Sequence, residues 1–103
     1  MTATLTSKGE KLFIDGKEVI KGWESFSGWY WFATEIDCVQ NSVIDGKMYT
    51  NCPIWFGYVQ GLEEEWGCFS EAELKSLGSK VWEIPKANLP YSGRRNTIKA
   101  AVQ

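Results

Sequence analysis

Apolar residues along this chain follow two different periods, with the change falling just after Gly61. Before it, short apolar stretches are separated by turn residues. In "KLFIDGKEVI" two such stretches flank Asp15-Gly16, a pair suited to the positive φ angles of a type I′ turn, so a β-hairpin is predicted there. The tetrapeptide recurs at Ile44 to Lys47, between "CVQNSV" and "MYTNC", and predicts a second hairpin. Two copies of four residues are recurring turn chemistry and not a repeat fold.

Between these hairpins, "SGWYWFATEID" alternates Trp29, Trp31 and Ala33 with Tyr30, Phe32 and Thr34. Both sides of such a strand carry bulky groups, which implies a central strand covered on both faces. "IWFGYVQG" reads the same way, with Ile54, Phe56 and Tyr58 on one side and Trp55 and Val59 on the other. Gly57 between them marks a bulge or a close backbone contact.

After Gly61 the signals become helical. Ser70 followed by Glu73 forms a capping box, and Phe69 before the cap is placed to pack on Leu74 as a hydrophobic staple. Gly78 suits a left-handed helix end, leaving about two turns near Glu71 to Leu77. "KVWEIP" then reads as a closing strand stopped by Pro85, and the last residues have turn chemistry followed by a weak helical tendency. The expected fold is α+β: a small antiparallel sheet of about five or six strands with one short helix after the central strands. A chain of 103 residues holds one such domain, with residues 1–9 and about 92–103 expected to be loose.

Charge narrows the range of functions. The net charge of −2 argues against a duplex-binding protein, which needs a basic surplus to neutralise phosphates. The distribution is uneven: six Glu against Lys75 and Lys80 between Leu62 and Glu83, then Lys86, Arg94, Arg95 and Lys99 with no acid in the last twenty residues. The chain has no histidine, which removes the commonest general base and the commonest metal ligand. Three cysteines, Cys38, Cys52 and Cys68, lie far apart without a C-x-x-C pair, so no metal site and no cofactor is expected. Cys52 and Cys68 read as small core residues. With no secretory segment and no run long enough to span a bilayer, a reducing, cytoplasmic setting is expected.

Candidate chemistry rests on carboxylates. "YVQGLEEEWGCFSEAEL" holds five glutamates among aromatic residues. Glu71 and Glu73 are explained by the first helical turn, where acids meet exposed N–H groups and the positive dipole end. Glu63, Glu64 and Glu65 occupy an expected strand-to-helix connection, a place where functional groups often sit. Glu35 lies beside several Trp rings, a setting able to raise a carboxyl pKa, and with Glu63 or Glu65 it gives the catalytic candidates for a carboxylate-dependent hydrolase. The structural alternative is a solvated acidic loop and a strand-end residue turned to water.

The aromatic residues could also stack on sugars or single-stranded nucleic acid, but the strands that carry them are short of Lys and Arg, so core packing is the favoured role. Arg94, Arg95 and Lys99 are the only nucleic-acid candidates, and weak ones. "GWYWFATE" followed by "FGYVQGLEEEWGCFSEAEL" resembles the small bacterial, plasmid and phage proteins of the domain of unknown function 2958 family. Matching positions run from Trp29, Trp31, Ala33, Thr34 and Glu35 through Phe56, Gly57, Val59 and Gly61 to Glu63, Glu65, Gly67, Phe69, Ser70, Glu73 and Leu74. The chain departs from that pattern in its N-terminal hairpin, at Cys68, where an aromatic is usual, and in its closing segment. The resemblance implies a protein carried on mobile genetic elements and no assigned activity. The expected function is a non-enzymatic interaction module that binds another protein, such as a host factor, through Glu63, Glu64, Glu65 and Trp66, with Trp66 as the apolar anchor.

Overall fold

The computed structural model describes residues 3–94. Both Asp-Gly pairs turn the chain as their chemistry requires. Asp15 and Gly16 have φ of 51° and 84°, and Asp45 and Gly46 have 52° and 78°, the two positive angles of a type I′ hairpin. The first turn joins β2 (Lys11–Ile14) to β3 (Lys17–Glu18). Strand β1 (Leu5–Lys8) pairs with the other edge of β2, giving a three-stranded antiparallel sheet. Residues 5–8 are thus held in a strand, where the sequence suggested a loose end. Leu5 supplies the reason, being 1% exposed, and the Thr4 N–H donates to Asp15 Oδ1 at 2.9 Å.

The second turn joins β5 (Tyr30–Ile44) to β6 (Lys47–Gln60), the long hairpin at the centre of a five-stranded antiparallel sheet. Strands β4 (Lys21–Ser25), β7 (Glu64–Ser70) and β8 (Val81–Glu83) complete it in the order β7-β6-β5-β4-β8. The single helix, α1 (Glu71–Ser76), leaves β7 directly. Its cap forms as expected: Ser70 Oγ accepts the Glu73 N–H at 3.3 Å, and Gly78 follows at φ 64°. Among the described residues this is an α+β protein, mostly antiparallel strands with one short helix after the central strands.

The five-stranded sheet is the middle of three layers, which is why its central strands are bulky on both faces. Against the small sheet, Phe32, Tyr58 and Ile84 pack on Leu5, Leu12, Ile14, Val19 and Leu89. On the other face Trp23, Ala33, Trp55 and Val81 pack on Leu74 of α1, with Trp31 and Phe69 at the margin. Phe69 meets Trp23 edge-on at 5.8 Å, so the predicted staple residue also joins the core. Gly57 is a close contact: a Cβ there would fall on the Phe32 carbonyl, beside the register shift between Ala33 and Glu35.

One part of the long hairpin leaves these layers. Strand β4 pairs with β5 only as far as Ala33, and β7 pairs with β6 only from Ile54. Residues 34–53 therefore form a two-stranded ribbon whose outer edges pair with no other strand among the described residues, which extend 46 × 25 × 25 Å. Cross-strand pairs along it include Ile36 with Trp55, Val39 with Pro53 and Val43 with Met48. Three register shifts absorb the extra residues, so these pairs share the face that carries Trp55. Asn51 takes φ 53° at the last shift, where its N–H donates to Asn41 Oδ1 at 2.9 Å.

Candidate interaction surface

The glutamate stretch adopts a different local structure from the one its sequence suggested. It is a hairpin between β6 and β7, closed by the Gly61 N–H donating to the Glu63 carbonyl at 3.1 Å, and not a strand-to-helix connection. Strand pairing then divides the three acids. Glu63 and Glu65 are exposed. Glu64 is half-buried and accepts from Tyr58 Oη at 3.1 Å and Gln60 Nε2 at 3.4 Å. Trp66 is half-buried too, stacked on Phe56 at 5.9 Å and tilted against Tyr58 at 5.2 Å, with Lys17 Nζ over its ring at 5.9 Å. The ring bridges the two sheets, so its apolar area is already largely used within the fold. At the hairpin tip the exposed apolar group is Leu62, 92% accessible, beside Glu63.

Glu35 does not join these acids. It pairs with Phe56, whereas Glu65 pairs with Val59, three residues along β6 and on the opposite face of the sheet. Three residues of strand span roughly 10 Å. Glu63 lies farther still, past Gln60. The geometry that paired carboxylates need for acid–base work is missing between Glu35 and either partner. Glu35 itself is exposed at the base of the ribbon.

The carboxylate that the structure does bury is Glu71, 5% exposed. It accepts from Trp55 Nε1 at 2.9 Å and pairs with Lys21 at 3.3 Å and Lys75 at 3.2 Å. Burial pushes its carboxyl up, but the indole N–H and the two ammonium groups outweigh that and hold it below its ordinary value. Lys21 Nζ also lies 5.4 Å from the Trp23 ring and 5.9 Å from the Trp55 ring. This is a structural tie between sheet and helix. The sequence supplied one signal for it, Lys75 four residues after Glu71, but not the tertiary partners Trp55 and Lys21.

Arg94 is likewise engaged inside the molecule. Its guanidinium donates to the carbonyls of Gly61 at 2.6 Å and Gly28 at 3.1 Å, and its N–H donates to Gln60 Oε1 at 2.8 Å. A side chain bonded in this way is not presented to a phosphate backbone. Arg95 and Lys99 lie outside the described residues. Cys38 and Cys68 are exposed and Cys52 is half-exposed, all as free thiols. Cys52 and Cys68 are therefore not core residues: Cys52 is on the ribbon, where it lines a cavity with Glu71, Ala72 and Lys75 of α1, and Cys68 is on the edge strand β7. Among the described residues no group of three or more Cys, Asp or Glu is arranged to hold a metal ion, and no helix is long and apolar enough to cross a membrane.

Among the exposed apolar groups, one set shares a single face of the ribbon. Ile36, Val39, Val43 and Met48 are 52%, 54%, 64% and 58% exposed. The ribbon also carries Asp37 at its second register shift and Asp45 at its turn, with the cation Lys47, while Glu35, paired with Phe56, is on the opposite face. No family model, curated protein or solved structure matches this chain.

Proposed function

We propose that the protein is a non-enzymatic interaction module whose ribbon, residues 34–53, engages a partner protein with an apolar centre and a basic rim. The observation that carries this reading is the row Ile36, Val39, Val43 and Met48, four large apolar side chains more than half exposed on a ribbon whose edges pair with no other strand among the described residues. Isolated two-stranded hairpins are marginally stable in water, and contiguous exposed apolar groups on such a ribbon mark a contact surface. Partner main chain can add to either edge, the side-chain row gives apolar contact, and the surrounding carboxylates select a basic rim. The separation of Glu35 from Glu63 and Glu65 leaves a carboxylate-dependent hydrolase without support. On the resemblance to mobile-element proteins, the partner would be a protein of the host cell.

The test is a site-specific photo-crosslinker. Placed at Val43, it should give a discrete protein adduct in cells, while the same group at Lys8, an exposed position on the small sheet, should not. Adducts of equal yield at both positions, or none at Val43, would reject the ribbon as the contact surface.

A further inference from the structure

Pairing across three neighbouring strands sets Glu24 of β4 directly between Tyr30 of β5 and Trp82 of β8. Directly paired residues have Cβ atoms about 5 Å apart on one face, so a carboxylate stands between two large rings. The 3-10 turn Lys86–Tyr91 brings Tyr91 and Asn88 to the same place. Together with Pro85 these residues line a cavity of about 350 Å³, within the size range of small-molecule sites.

Glu24 is only partly committed within the fold. It accepts from Tyr30 Oη at 3.2 Å, and it takes part in none of the ion pairs among the described residues. Burial, and then the Glu24 charge, push the Tyr30 phenol above its ordinary value, so at neutral pH it stays a protonated donor to that carboxylate. Trp82 and Tyr91 are 43% and 52% exposed at the cavity, leaving ring area that the core does not use.

We propose that this cavity binds an organic cation of the alkylammonium class, with Glu24 as counter-charge and Tyr30, Trp82 and Tyr91 as its aromatic walls. Aromatic faces attract cations through the ring quadrupole, and methylated ammonium groups gain from apolar walls that ask for no hydrogen bonds. An anion would meet Glu24 as a like charge. A neutral apolar ligand would desolvate that carboxylate without compensation. A hard metal ion requires several oxygen ligands, and the cavity offers one carboxylate. The same chemistry is carried by a free alkylammonium compound and by a methylated lysine side chain. The inference is independent of the ribbon, which lies at the other end of β5.

The full chain should be titrated with choline chloride at constant ionic strength, following the Trp82 indole N–H and the Asn88 backbone N–H by NMR, the latter serving for Trp82→Ala. A saturable shift is expected. The neutral isostere 3,3-dimethylbutanol should give no saturable shift. Glu24→Gln, which changes no volume, and Trp82→Ala should each weaken binding by about tenfold, with the thermal transition retained for Glu24→Gln. A trimethyllysine peptide binding more tightly than choline would assign the cation to a protein side chain, and equal or weaker binding would assign it to a free compound. No saturable shift with either cation, an equal shift with the neutral isostere, or undiminished binding by folded Glu24→Gln protein would overturn the proposal.

Discussion

The indole N–H of Trp55 donates to the buried carboxylate of Glu71 at 2.9 Å, joining the inner face of the large sheet to the first residue of the helix. Lys21 and Lys75 complete the carboxylate's partners. Because Glu71 is held below its ordinary value in the fold, its stabilising contribution is fully present above the unfolded carboxyl value, near about 4. It is lost as pH falls through the lower folded value. Denaturant midpoints measured from pH 7 to pH 3 should therefore drop more for the wild type than for Glu71→Gln. At pH 7 Glu71→Ala should cost about 3 kcal/mol, the lower range for breaking a buried ion pair, because Lys75 is solvent-exposed. Parallel acid limbs for wild type and Glu71→Gln would contradict this account.

The helix start gives a second expectation. Ser70→Ala removes the acceptor of the Glu73 N–H and should cost about 1 kcal/mol. Phe69→Ala also removes the edge-on contact with Trp23 and should cost about 3 kcal/mol. Chemical denaturation of both variants measures the difference, and equal losses would mean that Phe69 does not serve the core.

Arg94 separates a structural role from a nucleic-acid role. Arg94→Ala releases the carbonyls of Gly28 and Gly61 and should destabilise the fold by about 2 kcal/mol. Binding of a single-stranded oligonucleotide by the intact chain should be negligible at physiological salt. Tight, salt-sensitive binding that Arg94→Ala abolishes without loss of stability would reverse the assignment.

Trp66 offers a related check. As a bridge between Phe56, Tyr58 and Lys17, it should cost about 3 kcal/mol when replaced by alanine. Thermal unfolding reads this directly. A Trp66→Ala protein as stable as wild type would return the ring to the list of exposed binding groups.

Local chemistry was the legible part of this sequence. Asp15-Gly16 and Asp45-Gly46 specify their turns through φ alone, and Ser70 with Glu73 specifies the helix start through one hydrogen bond, so short stretches sufficed. The bulky double-faced strands through Phe32 and Tyr58 likewise announced a covered central hairpin. Strand β7 was hidden because "EEEWGCFS" runs acids together and sets its two rings, Trp66 and Phe69, three residues apart around a glycine, so only pairing with β6 decides its conformation. The same pairing sends Glu35 and Glu65 to opposite faces, which spacing along the chain cannot reveal across a register shift. Ribbon residues such as Val39 and Val43 read as ordinary strand residues, since nothing local records that the pairing of β5 with β4 ends at Ala33. Glu24 between Tyr30 and Trp82 is a three-strand relationship of the same kind.

The central claim is that the ribbon is the contact surface, and quantitative capture by wild-type and ribbon-variant protein tests it most directly. The variant Ile36→Lys, Val39→Lys, Val43→Lys changes three exposed side chains, so its thermal transition should stay within a few degrees of wild type, as expected for surface positions. Wild-type protein on a support should retain a defined partner from host lysate, and the folded triple variant should lose it, through lost apolar contact and added repulsion of a basic rim. Retention of the same partner, in the same amount, by the folded triple variant would contradict the account.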